Sequence, residues 1–313
     1  MKLIITGGAG YIGSHVVLEA IERGYDVTVF DDLSKGFKEN IDPRANFIFG
    51  STCSDNDLER LFDLNCYDGV IHLAASKAAG ESMINPSKYN ENNIIGGLKL
   101  INACVENGVS LFVFSSSAAV YGTPNLVPIG EDHPTLPTNY YGFSKLVIEN
   151  SLAWLGKLGK IRYASLRYFN VAGYDLNGRI SVVENNPQNL IPIIMENILD
   201  KGLGINVFGD DYNTKDGTGI RDYIHVTDIA KAHVKSIEYL RNNYEDLVLN
   251  LGTGEGYSVL EIIDKVKIIS GINLNYEIIG RRAGDVEILV ANVDKARKIL
   301  DWETKHSNLE NII

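Results

Sequence analysis

A tyrosine and a lysine stand four residues apart in the stretch YGFSK (141–145), downstream of three consecutive serines at 115–117. On a helix, residues i and i+4 share one face, so the phenol and the ammonium would lie one turn apart. An adjacent ammonium favours a phenolate, which predicts that the pKa of Tyr141 falls below its usual value of about 10. The pattern predicts an acid/base at Tyr141, with a serine hydroxyl that shares the proton or holds a substrate oxygen.

By itself this pattern is weak, because a tyrosine and a lysine at this spacing also occur on ordinary helix faces. Two features strengthen the chemical interpretation. A glycine-rich loop opens the chain, and the apolar run LFVFSSS (111–117) ends in the serines. For that serine-rich strand end, helix capping or a turn remains the alternative interpretation.

The glycine loop has the context that a dinucleotide site requires. KLIIT (2–6) is a short run typical of a strand, and helical periodicity continues to Gly24. Gly7 permits a tight turn, Gly10 lets the backbone approach a pyrophosphate, and Gly13 lets the helix pack on the strand. The helix N-terminus also favours phosphates, so the loop predicts dinucleotide binding.

The second predicted strand, YDVTVFDD (25–32), ends in two carboxylates, Asp31 and Asp32. A carboxylate here suits the free hydroxyls of an NAD ribose and repels a 2′-phosphate. Positions 31–34 contain no Arg or Lys, although Lys35 follows. The sequence therefore predicts NAD rather than NADP.

Strand-type and helix-type segments alternate through the first half of the chain. Further strands are predicted at 46–54, 69–75 and 111–117, with helices at 55–63, at 90–108 and around Tyr141. This alternation predicts an α/β fold with a doubly wound parallel (Rossmann) sheet and right-handed crossovers. We expect an NAD-binding domain at 1–170 and a smaller α/β substrate domain at 171–313. The sequence leaves open whether segments near 222–253 return to the main sheet.

The second half offers less specific signals. GTGEG (252–256) resembles a phosphate loop, but a structural turn is favoured because one cofactor loop already exists. Arg221 and Arg282 are the groups that a diphosphate needs in an acidic protein. Surface salt bridges with Asp222 or Asp285 explain them equally well at this point.

Composition narrows the function further. The chain has 313 residues, a formal net charge of -11 and a pI of about 5.1, which argues against nucleic acid or an anionic membrane as its main partner. Cys53, Cys66 and Cys104 are odd in number and form no CxxC, so we expect reduced thiols in a cytoplasmic protein. No apolar run reaches transmembrane length, and the histidines show no metal-binding spacing, so no metal is expected.

Motifs spread from residue 3 to about 302 resemble the UDP-sugar 4-epimerases of the extended short-chain dehydrogenase/reductase family. The glycine loop and YxxxK are shared by the whole superfamily, whereas DGTGIRDYIHV, RRAGD and SKAAGES are more particular to the epimerases. The resembling stretches are GGAGYIGSH (7–15), DDLS (31–34), HLAASKAAGES (72–82), ENN (91–93), FSSSAAVYG (114–122), YYGFSK (140–145), RYFNVAG (167–173), DYNTKDGTGIRDYIHVTDIA (211–230) and RRAGD (281–285).

The resemblance implies interconversion of UDP-glucose and UDP-galactose. A retained NAD takes the C4 hydride and returns it to the opposite face after the 4-keto sugar has turned. Tyr141 is then the base at the 4-hydroxyl, and Lys145 binds the nicotinamide ribose and lowers the pKa of the tyrosine. Ser117 assists proton transfer, and Ser115 lies nearby. A homodimer through helices 92–107 and 141–156 is also implied.

The resemblance also implies two sets of binding residues. The cofactor set is Gly7, Gly10, Tyr11, Ile12, Gly13, Asp31, Asp32, Leu33, Ser34, Ala74, Ala75, Lys77, Asn92, Ser115, Tyr141, Lys145 and Tyr168. The substrate set is Lys77, Ser117, Tyr141, Asn170, Asn189, Phe208, Arg221, Tyr223, Arg282, Asp285 and Leu289. In the family, uracil lies on the aromatic near Phe208 and the arginines meet the diphosphate.

Four positions bear on specificity. Ala118 and Ala119 stand where related dehydratases and decarboxylases carry an acid, so elimination lacks its acid here. Ser51 replaces an aspartate that commonly touches adenine. Leu289 is intermediate between the bulky and small residues that gate N-acetylated sugars.

Three rival functions remain open on the sequence. The same fold would serve a 4-epimerase of UDP-N-acetylhexosamine or UDP-glucuronate, which a substrate panel distinguishes. A non-catalytic NAD-sensing protein would tolerate Tyr141→Phe without loss of activity. A net dehydrogenase would release NADH.

Overall fold

The structure is a computed structural model that describes residues 1–63, 65–182, 187–199, 204–282 and 284–313. Ala283, within the RRAGD motif, lies outside the described residues. The strands are β1 (Lys2–Thr6), β2 (Asp26–Asp31), β3 (Asn46–Phe49), β4 (Gly69–His72), β5 (Leu111–Ser117), β6 (Arg162–Tyr168), β7 (Asn170–Ala172), β8 (Ile205–Phe208), β9 (Ile220–Arg221), β10 (Tyr223–His225), β11 (Leu247–Leu251), β12 (Tyr257–Ser258), β13 (Tyr276–Ile279) and β14 (Ile288–Leu289).

Within the described residues, seven strands form one parallel sheet in the order β11-β6-β5-β4-β1-β2-β3. The order reverses at β1, which pairs with β2 on one side and β4 on the other. Ligands bind in open α/β sheets outside the carboxyl ends of the strands, at such a switch point. The predicted doubly wound sheet is confirmed, and its switch point lies beside the glycine loop.

Helices cover both faces of this sheet. They are α1 (Tyr11–Glu22), α2 (Asp55–Asp63), α3 (Ala79–Ile84), α4 (Pro86–Tyr89), α5 (Gly96–Glu106), α6 (Tyr140–Lys157), α7 (Leu190–Leu199), α8 (Val226–Asn242), α9 (Val259–Ser270), α10 (Asp294–Leu300) and α11 (Leu309–Ile312). Apolar side chains of α1 and α8 share one buried core with the sheet, and those of α2, α5 and α6 share a second. The two cores fix the sheet edge that carries the site.

Two predicted elements differ in detail from the structure. The third strand ends at Phe49 rather than at residue 54, and Gly50 to Ser54 form a loop at the sheet edge. The helix predicted from residue 90 begins as a π-helical stretch, Asn90–Ile95, before α5. Such π-helical insertions are frequent at functional sites, and this one carries Asn92.

Helix α6 starts where its sequence provides a cap. Asn139 Oδ1 accepts a hydrogen bond from the backbone N–H of Gly142 at 2.9 Å, as an N-cap does. The N–H of Tyr141 donates to Ser82 Oγ at 3.0 Å. These two bonds satisfy donors that a helix start leaves free and fix Tyr141 in the first turn.

The last third of the chain forms small sheets from distant segments. Strand β8 pairs with β13, β9 lies between β12 and β14, and β7 pairs with β10. Strand β11, within the segments near 222–253, lies in the main sheet. The domain division at residue 170 stays a prediction. GTGEG is a structural turn, because Thr253 and Gly254 donate to the buried carboxylate of Asp222. None of the described helices has both the length and the apolar character needed to cross a membrane.

Candidate active site

A cavity of about 480 Å³ opens at the carboxyl ends of β1, β2, β4 and β5. Its wall includes every predicted cofactor residue except Leu33: Gly7, Gly10, Tyr11, Ile12, Gly13, Asp31, Asp32, Ser34, Ala74, Ala75, Lys77, Asn92, Ser115, Tyr141, Lys145 and Tyr168. Leu33 does not line the cavity; its backbone N–H donates to Asp31 Oδ1 at 2.8 Å. One cavity thus brings together residues predicted from seven separate motifs.

The glycine loop is shaped by close backbone approaches. Gly7 has a φ of +70°, and a Cβ there would lie 2.6 Å from the N of Ala74. A Cβ on Gly13 would lie 2.0 Å from the carbonyl oxygen of Gly7. Helix α1 begins directly after Gly10, so its N-terminus faces the cavity. This cradle fits the pyrophosphate of a dinucleotide.

The two carboxylates at the end of β2 have different surroundings. Asp31 accepts hydrogen bonds from the N–H groups of Ala9 and Leu33, which ties it to the glycine loop, and its burial raises its pKa. Asp32 is exposed on the cavity wall. Lys35 also reaches this wall. The carboxylates at this edge remain compatible with a ribose that carries free hydroxyls.

Tyr141, Lys145 and two serines meet at the catalytic end of the cavity. The ammonium of Lys145 donates to the carbonyl oxygen of Ser115 at 2.8 Å and lies 5.8 Å from the centre of the Tyr141 ring. The side chain of Ser117 lies beside the Tyr141 phenol and lowers the phenol's pKa. The hydroxyl of Ser115 is instead hydrogen-bonded to Tyr168. The resemblance gave Ser117 the part in proton transfer and put Ser115 nearby, and the arrangement of the two hydroxyls agrees with this division.

The expected lowering of the pKa of Tyr141 is wrong for the protein without ligands. Burial raises the pKa of the phenol above its usual value. This increase is larger than the decrease in pKa that the neighbouring Ser117 causes. Burial also lowers the pKa of Lys145 to about 7, so near neutral pH its ammonium is only partly charged. Removing both groups from water penalises their charged forms, a cost that sequence spacing does not reveal.

A second cluster, about Phe208, collects five of the predicted substrate residues. The guanidinium of Arg282 lies 5.1 Å from the centre of the Phe208 ring, and its Nη2 is 3.0 Å from Asp285 Oδ1. Arg221 is the register partner of Leu289 in the pairing of β9 with β14. Asp285 tends to raise the pKa of Arg221, although burial lowers it overall. Two cationic groups and an aromatic face therefore lie in one neighbourhood.

The alternative interpretation of the two arginines, as members of salt bridges, holds for Arg282 and does not hold for Arg221. Arg282 does pair with Asp285, and both side chains keep contact with solvent. Arg221 does not pair with Asp222, whose carboxylate accepts hydrogen bonds from the backbone of Thr253, Gly254 and Ala291. Arg221 instead donates to the backbone carbonyls of Ile220 and Glu287. Its guanidinium thus has no carboxylate partner among the described residues.

Three predicted substrate residues are less closely gathered. Asn170 and Tyr223 are register partners in β7 and β10, and Tyr223 is buried in the core beneath. Asn189 precedes α7 and is exposed. In the part of the chain that the structure describes, no hydrogen bond joins its side chain to the cluster about Phe208.

The cavity also includes residues that sequence reasoning missed. Gly50, Thr52 and Cys53 line it after β3, beside Ser51, which the sequence analysis had named, and the predicted strand end at this edge could have indicated them. Ser51 lines this wall, and its N–H donates to Asp57 Oδ2 at 3.1 Å. Asn40 and Val182 exchange two hydrogen bonds across the cavity rim, at 2.8 and 3.0 Å. Their separation of 142 residues left no local signal. Among the described residues, no group of His, Cys, Asp or Glu could hold a metal ion.

A glycine cradle at the switch point, with Tyr141, Lys145 and Ser117 at the same sheet edge, defines a dinucleotide-binding protein of the short-chain dehydrogenase/reductase class. Residues 3–252 match the model of the NAD dependent epimerase/dehydratase family. The chain belongs to this family.

Individual relatives are similar over the whole chain. A UDP-glucose 4-epimerase of Halalkalibacterium halodurans is 44% identical over 313 residues, which are 100% of this chain and 93% of the relative. Another from Lactobacillus helveticus is 41% identical and covers 100% of this chain and 95% of that protein.

Solved structures give the same result. The UDP-glucose 4-epimerase of Stenotrophomonas maltophila, with bound NAD and formylated UDP-arabinopyranose, superposes with a TM-score of 0.95 at 37% identity, over 100% of this chain and 95% of that one. The enzyme of Bifidobacterium longum, in complex with NAD⁺ and UDP, has a TM-score of 0.94 at 37% identity, over 100% and 96% of the two chains.

Proposed function

We propose that this chain is an NAD-dependent epimerase that interconverts UDP-glucose and UDP-galactose. The names of its relatives support this reaction, and so do the ligands named for the similar structures. The observation that carries the proposal is the Tyr141 phenol, which lies beside Ser117 and beside the buried ammonium of Lys145. NAD, when bound, supplies a hydride acceptor and donor and a cationic ring.

Tyr141 accepts the proton of the sugar 4-hydroxyl as C4 is oxidised, and it returns that proton when C4 is reduced. The neighbouring Ser117 favours the phenolate that this requires. Its hydroxyl, beside the phenol, would also hold O4. No second acid or base is needed, because one proton leaves and the same proton returns.

Lys145 has a positioning and an electrostatic part in this scheme. Its bond to the Ser115 carbonyl points the ammonium to the cavity end of β5, within reach of a bound ribose. When charged, it favours the phenolate of Tyr141. With a pKa of about 7, its charge is sensitive to whatever enters the cavity.

The anchoring groups hold the nucleotide end of the substrate rather than the hexose. Phe208 offers a face for uracil, and Arg221 and Arg282 offer charge for the diphosphate. With the UDP end fixed, the 4-keto sugar can turn about the bonds to phosphate and present its other face.

The residues after Ser117 support epimerisation over elimination. Ala118 and Ala119 occupy the short 3₁₀ turn that follows β5, and neither can transfer a proton. Removal of water from the sugar needs a further acid at the leaving group, and these two positions do not provide one.

We also propose a homodimer and a cytoplasmic location. Ile95, Phe143, Trp154 and Leu158 are 40%, 44%, 64% and 65% exposed along the α5–α6 side of the molecule, where the family resemblance puts the dimer. Analytical ultracentrifugation tests the dimer: we expect twice the chain mass for the parent and a monomer for Trp154→Glu.

The free thiols of all three cysteines accord with a reducing compartment such as the cytoplasm. Fractionation of cells that express the protein tests this location.

The function is tested by incubating the purified protein with UDP-galactose and no added nucleotide or reductant. We expect UDP-glucose to form, with NAD recovered from the protein after denaturation. Tyr141→Phe should retain the NAD and lose about 10³-fold in kcat, the contribution of a general acid/base. Turnover of UDP-galactose by Tyr141→Phe at the parent rate would refute the assignment of the base, and failure of the parent to convert UDP-galactose would refute the function.

A further inference from the structure

A third residue extends the catalytic face of α6. Glu149 follows Lys145 by four residues, as Lys145 follows Tyr141, so the three side chains form one stripe along the helix. Glu149 is only 5% exposed. The proposed chemistry gives this buried carboxylate no part.

The stripe on α6 meets three consecutive residues of β5. Tyr141 lies beside Ser117, Lys145 donates to the carbonyl of Ser115, and the hydroxyl of Ser116 donates to Glu149 Oε1. Each helical turn is thus matched to one residue at the strand end. Ser116 lies between the two serines of the site, so its bond to Glu149 fixes their position along α6.

Arg167 holds the carboxylate from the other side. Its Nη2 lies 2.6 Å from Glu149 Oε2 and its Nε 2.9 Å from Oε1, a two-point pairing. Arg167 is the cross-strand neighbour of Ser116 in β6, and both partners of the ion pair are less than a tenth exposed. Arg167 Nη1 is also 3.0 Å from the hydroxyl of Tyr121, which donates to Asn250 at 2.7 Å. Every charged group of this network is therefore satisfied.

A buried ion pair of this kind adds little net stability, because desolvation offsets much of the attraction. Its effect is on geometry, since the two-point pairing permits one placement of α6 on β5 and β6. We propose that Glu149, held by Arg167, is a positioning residue that sets Tyr141 and Lys145 against the Ser115–Ser117 strand end and places its carboxylate where it favours the Lys145 ammonium. This inference rests on the proposed function of Tyr141 and Lys145.

The charges about Lys145 make the second part testable. On α6 it faces Tyr141 and Glu149. Strand β4 contributes His72, and β5 contributes the Ser115 carbonyl and the Phe114 ring. Strand β6 contributes Arg167, which pairs with Glu149, and Tyr168, which faces Tyr141. Burial and Lys145 lower the pKa of His72 to about 3, so this imidazole is neutral. Glu149 is the group whose charge raises the pKa of Lys145.

The first experiment compares Glu149→Gln with the parent over pH 5 to 10. Glutamine keeps the shape and removes the charge, so Lys145 loses its proton at lower pH. We expect the alkaline fall of kcat to move down by about one pH unit, since an opposite charge this close shifts a pKa by 1 to 3. KM for UDP-galactose should change less than twofold. Ser116→Ala, which keeps the charge, should lower kcat several-fold without moving the pH profile.

Glu149→Gln leaves Arg167 unpaired and could prevent folding. The double variant Glu149→Met, Arg167→Met removes both charges together, a replacement that is often neutral for stability. We expect it to fold and to lose at least tenfold in kcat, whereas Glu310→Gln, which breaks an exposed pair with Lys265, should match the parent. Parent kcat and parent pH profile in a folded double variant would overturn the positioning role.

A readout without turnover separates this inference from the proposed function. Lysine labelled at ¹³Cε reports the titration of each ammonium by NMR, and Lys145→Met assigns the Lys145 signal. We expect the pKa of Lys145, about 7 in the parent, to fall in Glu149→Gln, because the opposite charge that favours the ammonium is gone. An unchanged Lys145 titration would overturn the electrostatic role even if the parent epimerises UDP-galactose; a lowered pKa would retain it even if the parent showed no turnover.

Discussion

The cofactor half and the substrate region acquire their geometry in opposite ways. The cofactor half (β1 to β6 and the loops that follow them) places each functional group at the end of a strand in one continuous parallel sheet. The substrate region (β8, β9 and β12 to β14) is assembled from short strands whose partners are distant in sequence, such as 205–208 with 276–279. Functional groups in the first region stand over two large cores, whereas Phe208, Arg282 and Asp285 in the second keep contact with solvent.

Burial follows the same division. Lys145 and Glu149 lie under the surface, where an unpaired charge is costly, and burial lowers the pKa of Lys145. The Arg282–Asp285 pair keeps contact with solvent, and such pairs contribute little to stability. Substitutions in the cofactor half should therefore alter catalysis and folding together, whereas those in the substrate region should alter substrate affinity alone.

The largest effect is expected for Lys145→Met. Loss of the ammonium removes the charge beside Tyr141, so kcat should fall by about 10³-fold, the upper part of the range for acid/base catalysis. Steady-state kinetics with UDP-galactose measure this. A decrease of less than fivefold would show that Lys145 does not support the phenolate.

The same variant should alter stability with a defined pH dependence. Folded Lys145 has a pKa of about 7, and unfolded lysine about 10.4. The unfolded parent therefore binds more protons between these values, and parent stability rises with pH across this window. Lys145→Met lacks this dependence. The variant should therefore have a higher free energy of unfolding than the parent below pH 7, and this difference should disappear toward pH 10. Denaturant unfolding of nucleotide-free protein measures it, with the exposed Lys298→Met as a control that should show no such trend.

Gly13→Ala should be next in size. Its Cβ would lie 2.0 Å from a backbone oxygen that cannot move aside, so we expect about 3 kcal/mol of destabilisation, the upper range for overpacking, and loss of copurified NAD. Gly280→Ala in the substrate region has no atom within 4 Å of the added Cβ and should resemble the parent. Thermal melting and nucleotide content check both. Equal behaviour of the two variants would contradict the contrast between the regions.

Arg282→Ala should raise KM for UDP-galactose by about 10- to 100-fold, the value of one or two hydrogen bonds to a charged group. The kcat and the free energy of unfolding should stay close to those of the parent, because the pair with Asp285 is exposed. Arg60→Ala is a matched control, since Arg60 pairs with Asp57 at the same spacing and similar exposure. A fall in kcat at saturating substrate for Arg282→Ala would place this arginine in the chemistry instead.

The smallest effect is expected at Leu289. This half-buried side chain packs against the cluster that contains Ala118 and Phe169, close to Ser117. Truncation to alanine opens space there, so the rate with UDP-N-acetylglucosamine relative to UDP-galactose should rise by about tenfold, as expected for a few methylene groups. Leu289→Tyr should lower the same ratio. Changes of this ratio in the opposite directions would show that a residue other than Leu289 controls access of N-acetylated sugars.

The division between the regions also explains what sequence could predict. Strand ends of a parallel sheet meet at one edge, so motifs after β1, β2, β4 and β5 were sufficient to predict the cofactor cavity. The pairing of Phe208 with Arg282 depended on family resemblance, because strands this short carry no periodicity that indicates their partners. Spacing also predicted the wrong direction for the pKa of Tyr141, since burial is a property of the folded core. The hydrogen bonds between Asn40 and Val182 left no local signal in the sequence either, because only the folded chain brings these two residues together.

The most direct test of the account follows the hydrogen at C4. UDP-galactose deuterated at C4 is converted by the parent in ordinary water, with excess unlabelled NADH in solution. The account predicts that UDP-glucose retains the deuterium at C4, because the hydride is removed and returned within one closed cavity. Loss of the label from C4, or its appearance in the free NADH, would contradict it and indicate a net dehydrogenase.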